Sequence, residues 1–196
     1  MKIKSIDENS YASSPGSISI SEEKLRNLRP DLYGVKGGIK GAIDKILIGF
    51  TQKREIQEHI FYGDSQPAIV MSKIPLIIVA YSEDLDCIVP LKFPNEYAEK
   101  YMLEVKTRLI TINTYMRGTE IQRDIILGPN NNQRWNGYSP IIGQFITDDI
   151  DILAKKKEEI NEELWDYVYK LGLEYREKYP NIYRDGRPIF SQKSSL

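Results

Sequence analysis

QPAIVMSKIPLIIVAYSEDLDCIVPLKF, residues 66–93, carries two apolar runs and a third, broken one, separated only by Lys73–Pro75 and Ser82–Asp86. The central run, Leu76 to Tyr81, has no polar group before the tyrosine hydroxyl. A run this short, containing the β-branched Ile77, Ile78 and Val79, suits a strand buried on both faces better than a helix. The acidic link before Cys87 can close a hairpin but cannot hold a crossover helix, so the neighbours are predicted to be antiparallel. The fold class that follows is α+β: a central, mainly antiparallel sheet of about four or five strands, packed by N-terminal and C-terminal helices.

Working outward, 196 residues are enough for one domain with one core, and 41% hydrophobic with 28% charged residues suggests no overall disorder. The domain is expected over 20–179. A mobile arm rich in Ser and Asn precedes it over 1–19, and a loosely ordered tail follows over 180–196. The formal charge of −1 provides no whole-chain attraction to nucleic acid or to an anionic membrane. One cysteine and one histidine exclude a Cys-based zinc site and most His-rich metal schemes. No cofactor motif stands out. A lone thiol fits a reducing compartment, and MKIKSIDENSYASSP lacks the apolar centre of a signal peptide. No apolar run approaches the roughly 20 residues that span a bilayer. A soluble cytosolic protein is the expectation.

Local patterns place the other elements. Ser19 and Glu22 fit a capping box for a short helix to Leu28, which Pro30 stops. Val35, Ile39, Ala42, Ile43, Ile46, Leu47 and Phe50 trace one face of an amphipathic helix. A second short helix is expected over Arg54–Phe61. Asn95 opens another helix, Thr107–Met116 alternates as a strand, and Ile125–Leu127 could add a short one. Ser139-Pro140 reads as N-cap and first residue of a helix, and Asn161 as the cap of the last helix, with Leu164, Val168, Leu171 and Tyr175 as its apolar stripe.

Few segments suggest chemistry. GVKGGIKG, residues 34–41, invites an anion-binding reading through Lys36, Gly37, Gly38 and Lys40, because backbone amides of a glycine turn at a helix start attract anions. Its spacing fails the Walker pattern, since Ile39 stands where the second glycine belongs and Gly41 follows Lys40. Close helix packing is the plainer account. Cys87 follows three carboxylates, which raise a thiol pKa, so a small buried cysteine outweighs a nucleophile paired with His59. His59 itself reads as a surface or boundary residue. The acidic groups Glu83/Asp84/Asp86 and Asp148/Asp149/Asp151 do not match a calcium loop and read as solvated charge.

The loop GPNNNQRWNGY, residues 128–138, is the best recognition surface, with Asn132, Arg134, Trp135 and Tyr138 as partner-binding candidates. Trp and Arg are enriched at binding hot spots, and loops carry function more often than the scaffold does. Against this stands a Trp135 that tucks back onto the core. The functional expectation is a non-catalytic module that binds another protein, as an adaptor or inhibitor. The alternative is a small enzyme or binding protein for an anionic ligand, using the Gly37–Gly41 turn with Arg108 or Arg134 and a carboxylate such as Asp86. Self-association is left open.

Overall fold

The computed structural model describes residues 12–33 and 39–188, and for residues 39–48 the backbone alone. The 66–93 segment forms three strands, β1 (Asp64–Lys73), β2 (Leu76–Ser82) and β3 (Cys87–Phe93), paired antiparallel in sequence order. Every residue of β2 is buried, as its β-branched run implies. Helices α1 (Glu22–Leu28) and α2 (Ile39–Tyr62) precede the strands, and α3 (Glu96–Lys100) follows them. Strands β4 (Arg108–Met116) and β5 (Gly137–Ile142) come next, then helices α4 (Ile150–Glu159) and α5 (Glu162–Lys178), and last a short β6 (Arg184–Asp185). Among the described residues the sheet has six strands in the order β5-β4-β1-β2-β3-β6, all antiparallel except the β3–β6 pair. It is therefore α+β and mainly antiparallel, with one strand more than expected.

Residues directly opposed across antiparallel strands share a face. One face carries Ala68, Ala80 and Val89 in register, with Val70, Ile78 and Leu91 beside them. The other carries Ile69 and Val79 and is covered by α5, whose Gly172 is so close to Met71 that an added Cβ would sit 2.9 Å from its Sδ. The sheet curls around the first face. Tyr138 on β5 donates its hydroxyl to the Ala80 carbonyl on β2 at 2.6 Å, across strands that are not neighbours. Phe145 closes one end of the enclosed space, with ring centroids 4.9 Å from Phe93, 5.2 Å from Tyr97 and 4.6 Å from Tyr101.

The curl brings the two edge strands together, and Arg184 joins them. From β6 its guanidinium donates to the Tyr138 carbonyl on β5 at 2.6 Å, to Gln122 Oε1 at 2.6 Å, and to both carboxylate oxygens of Asp124. The described part of the expected tail is thus docked, because β6 pairs with β3 and Arg184 is held on four acceptor atoms. The described part of the expected arm is docked as well. Gly16 and Ser17 donate to the Gly63 and Phe61 carbonyls, each at 2.9 Å, and Ile18 is fully buried.

Several boundaries differ from the sequence reading. Ser21, not Ser19, caps α1. The two helices expected across 35–61 are one continuous α2, whose Ile56, His59 and Ile60 face the core. Residues 125–127 form no strand. Ser139-Pro140 lies in β5, not at a helix start. That strand is an edge, where a missing N–H leaves no ladder bond unmade. Asn161 does cap α5, accepting from the Leu164 N–H at 2.7 Å, but the buried stripe is Trp165, Val168, Gly172 and Tyr175.

His59 is buried, not a boundary residue. Its Nε2–H donates to the Ile112 carbonyl at 2.9 Å, and Nδ1 accepts from the Thr114 hydroxyl at 3.2 Å. Burial holds its pKa down at about 4, against which the Ile112 and Ser139 carbonyls pull upward. The folded protein keeps this imidazole neutral where the unfolded chain, at about 6.5, already protonates it. The resulting stability is complete above pH 6.5 and is lost as pH falls to about 4. The loss is on the order of 3 kcal/mol, measurable by urea unfolding across that range. The single imidazole resonance in a proton spectrum should stay in its neutral position down to about pH 4. Replacing Arg184 by Met strands the partly buried Asp124 carboxylate, and urea unfolding should show a loss of about 3–5 kcal/mol.

Candidate functional site

At the mouth of the curled sheet, opposite the Phe145 end, the β2–β3 turn meets the loop 128–136. The turn folds on itself: Ser82 Oγ accepts from the Leu85 N–H at 3.3 Å, and the Asp86 N–H donates to the Glu83 carbonyl at 3.1 Å. Asp86 takes a left-handed conformation, φ 46°, which Asp tolerates better than most residues. Its carboxylate is 2% exposed and is not solvated charge. It accepts from the Tyr81 hydroxyl at 3.0 Å, the Tyr167 hydroxyl at 2.8 Å and the Asn130 side-chain amide at 3.1 Å. The loop enters this corner at Gly128, where a Cβ would collide with the Asp86 carboxyl group.

The rest of the loop is tied down residue by residue. Asn132 donates from its backbone to the Asp84 carbonyl at 3.1 Å and from its amide to the Asp84 carboxylate at 2.6 Å. Asn131 Oδ1 accepts from the Gln133 N–H, and Asn132 Oδ1 from the Arg134 N–H, both at 2.9 Å. These are Asx turns, the reason an Asn run suits a tight irregular loop. Trp135 then folds inward, 6% exposed, and stacks on Tyr115 with centroids 5.5 Å apart. Arg134 and Arg117 each lie over its indole, their guanidinium carbons 5.2 and 5.4 Å from the ring centroid.

A polar layer lies beneath. Thr111, Asn113 and Tyr115 project from one side of β4. Asn113 Nδ2 donates to the Tyr81 carbonyl at 2.7 Å, and Ser82 Oγ lies 3.3 Å from the Tyr115 hydroxyl. Asp64 accepts from Gln66 Nε2 at 2.6 Å and from the Ser14 N–H at 2.9 Å. Burial, and then the Asp64 charge, lift the Asp84 carboxyl above its usual range, while the Trp135 indole N–H and the Asn132 amide work against that. Burial raises the Tyr115 phenol too, and the Asp64 and Asp84 charges add to it. Taken together, the corner is a carboxylate-and-tyrosine base beneath a loop whose Arg134, together with Arg117 from the end of β4, lies over the Trp135 ring.

Of the sequence candidates, Asn132 and Arg134 are exposed, Trp135 is a buried platform and Tyr138 is fully buried beside the Arg184 bridge. Lys36, Gly37 and Gly38 lie outside the described residues, and Lys40 belongs to α2 with its side chain undescribed. Arg108 and Arg134 do not converge: Arg108 opens β4 and pairs with Glu162, whereas the 128–136 loop meets β4 at Met116, its other end. Cys87 is buried, its thiol pushed up to about 12 chiefly by that burial. Its neighbours are Tyr138 and Arg184, not His59. Sequence reasoning read Asp84 and Asp86 as solvated charge, with Asp86 also offered as a carboxylate for an anionic-ligand site, and it missed Tyr115 and Arg117. The alternation of Thr111, Asn113 and Tyr115 along β4 was the available signal for Tyr115.

Among the described residues no group of three or more His, Cys, Asp or Glu is placed to hold a metal ion, and no helix is long and apolar enough to cross a membrane. Compared with protein-family models, curated proteins and solved structures, the chain matches none. If Asp84 anchors the loop as described, Asn132→Ala removes a hydrogen bond to a charged group, worth about 1.5–3 kcal/mol. Amide hydrogen exchange over 130–134 should then speed up about tenfold or more, with exchange in β2 unchanged.

Proposed function

We propose that this protein is a non-catalytic module that binds another protein, an adaptor or inhibitor, and that it docks an acidic segment of its partner on the 130–134 loop. The observation that carries this reading is the pre-ordered loop with Arg134 and Arg117 over the Trp135 ring. Ordering a loop on binding costs affinity, and a loop already fixed by Asp84 and Asp86 avoids that cost. Arg is enriched at hot spots, and its planar fork matches a carboxylate in two-point fashion. Trp135 acts here by orienting the two cations, and Tyr138 by fixing the strand that follows the loop. The cytosol is the proposed setting, since the chain's one thiol, Cys87, has no disulfide partner within it.

The test is affinity capture from cells that express the protein naturally, followed by binding measurements on the captured partner. Arg134→Ala and Arg117→Ala should each weaken binding about fivefold or more, a loss of about 1 kcal/mol, and rising salt should weaken the wild type. Equal binding by wild type and the double variant would refute the assignment.

A further inference from the structure

The N-terminal arm meets the sheet at the same mouth as the 128–136 loop. Pro15 and Gly16 lie antiparallel to the start of β1, and the chain bends at Ser13 and Ser14. Both serines return to one group: the Ser14 N–H donates to Asp64 Oδ1 at 2.9 Å, and the Ser13 hydroxyl donates to it at 3.2 Å. Lys156 of α4 fixes the bend, donating to the Ser14 hydroxyl at 3.2 Å and to the Pro15 carbonyl at 2.6 Å.

Asp64 links this bend to the supports of the loop. Beyond the effect of burial, its charge adds to the rise of the Asp84 carboxyl, which holds Asn132, and of the Tyr115 phenol, on which Trp135 stacks. Asp64 also stands opposite Asn113 on β4, and Arg117 lies roughly 13 Å further along that strand's course. The sequence before Ala12 carries two adjacent carboxylates, Asp7 and Glu8. The chain from Ala12 back to Glu8 spans up to about 14 Å, which brings the pair within reach of the guanidinium groups over the Trp135 ring. A segment tethered this closely acts at about millimolar effective concentration, so a weak ionic contact is enough to seat it.

We propose that Asp7 and Glu8 of the chain's own arm dock on Arg117 and Arg134 and hold the place of the partner's acidic segment until that segment displaces them. The inference rests on the partner-binding reading of this surface and adds its regulation, an internal competitor that sets the affinity a partner must exceed.

Nuclear magnetic resonance of the full chain, with a nitroxide on Ser5→Cys, tests it. Cys87 is buried, which leaves the introduced thiol as the one to label. The amide signals of Arg117 and of residues 132–134 should lose about half their intensity or more, with those of β2 as the unaffected reference. Asp7→Asn/Glu8→Gln should restore them, as should about 0.5 M salt. Signals that stay sharp, or broadening that survives the double substitution, would overturn the proposal. So would broadening that appears only between nitroxide-bearing and isotope-labelled molecules in a mixture, which would assign the arm to a second copy. The captured partner should bind the Asp7→Asn/Glu8→Gln chain about twofold tighter or more, and unchanged affinity would refute the competitor role. Failure of the partner-binding reading looks different: the Arg117→Ala/Arg134→Ala chain then binds the partner as wild type does, yet loses the nitroxide broadening.

Discussion

A sheet that curls until its edges face each other has a seam, and every polar group along that seam needs a partner. Arg184 supplies it. One guanidinium spans β6, the 122–124 segment and β5 through charge-assisted hydrogen bonds, with its own side chain and that of Asp124 about one-fifth exposed. Such a pair is costly to desolvate, and it holds only because its donors meet acceptors in good geometry. The enclosed face, the polar mouth and the platform under Trp135 all depend on the curl that this contact closes.

Inside that curl the side chains are sorted by position along the strands. Phe93, Tyr97, Tyr101 and Phe145 fill one end, while Gln66, Thr111, Asn113 and Tyr115 fill the other. The apolar end is a packed core. At the polar end a hydrogen-bonded network meets the loops. Rigid strands below and tied Asn side chains above let a long irregular connection hold one shape.

Much of this was legible in the residues themselves. The β-branched run of β2 and its short flanking links define three adjacent antiparallel strands, because local sterics and chain reach leave few alternatives. Asn161 signals the start of α5 for the same local reason. What was hidden depends on distant partners. Ser139-Pro140 carries a helix-start pattern, but β4 recruits it as an edge strand. His59 looks like a boundary residue until the Ile112 carbonyl, far along the chain, accepts a hydrogen bond from its Nε2–H. Arg184 sits in a sequence typical of a solvated turn, and only the closing sheet makes it a bridge. The loop's Asn, Arg and Trp were recognisable as binding types, but no local pattern reveals that Trp135 turns inward or that Arg117 joins Arg134 above it.

The position of β6 in the chain also bears on synthesis. β3 is made long before its parallel neighbour, so a nascent chain leaving the ribosome exposes the outer rim of β3 while α3 to α5 are still being added. Pro90 in that rim lacks an N–H, which blunts it against pairing with another nascent chain. Of the described elements β6 is the last to be made, and it works less as structure in its own right than as the closing stitch.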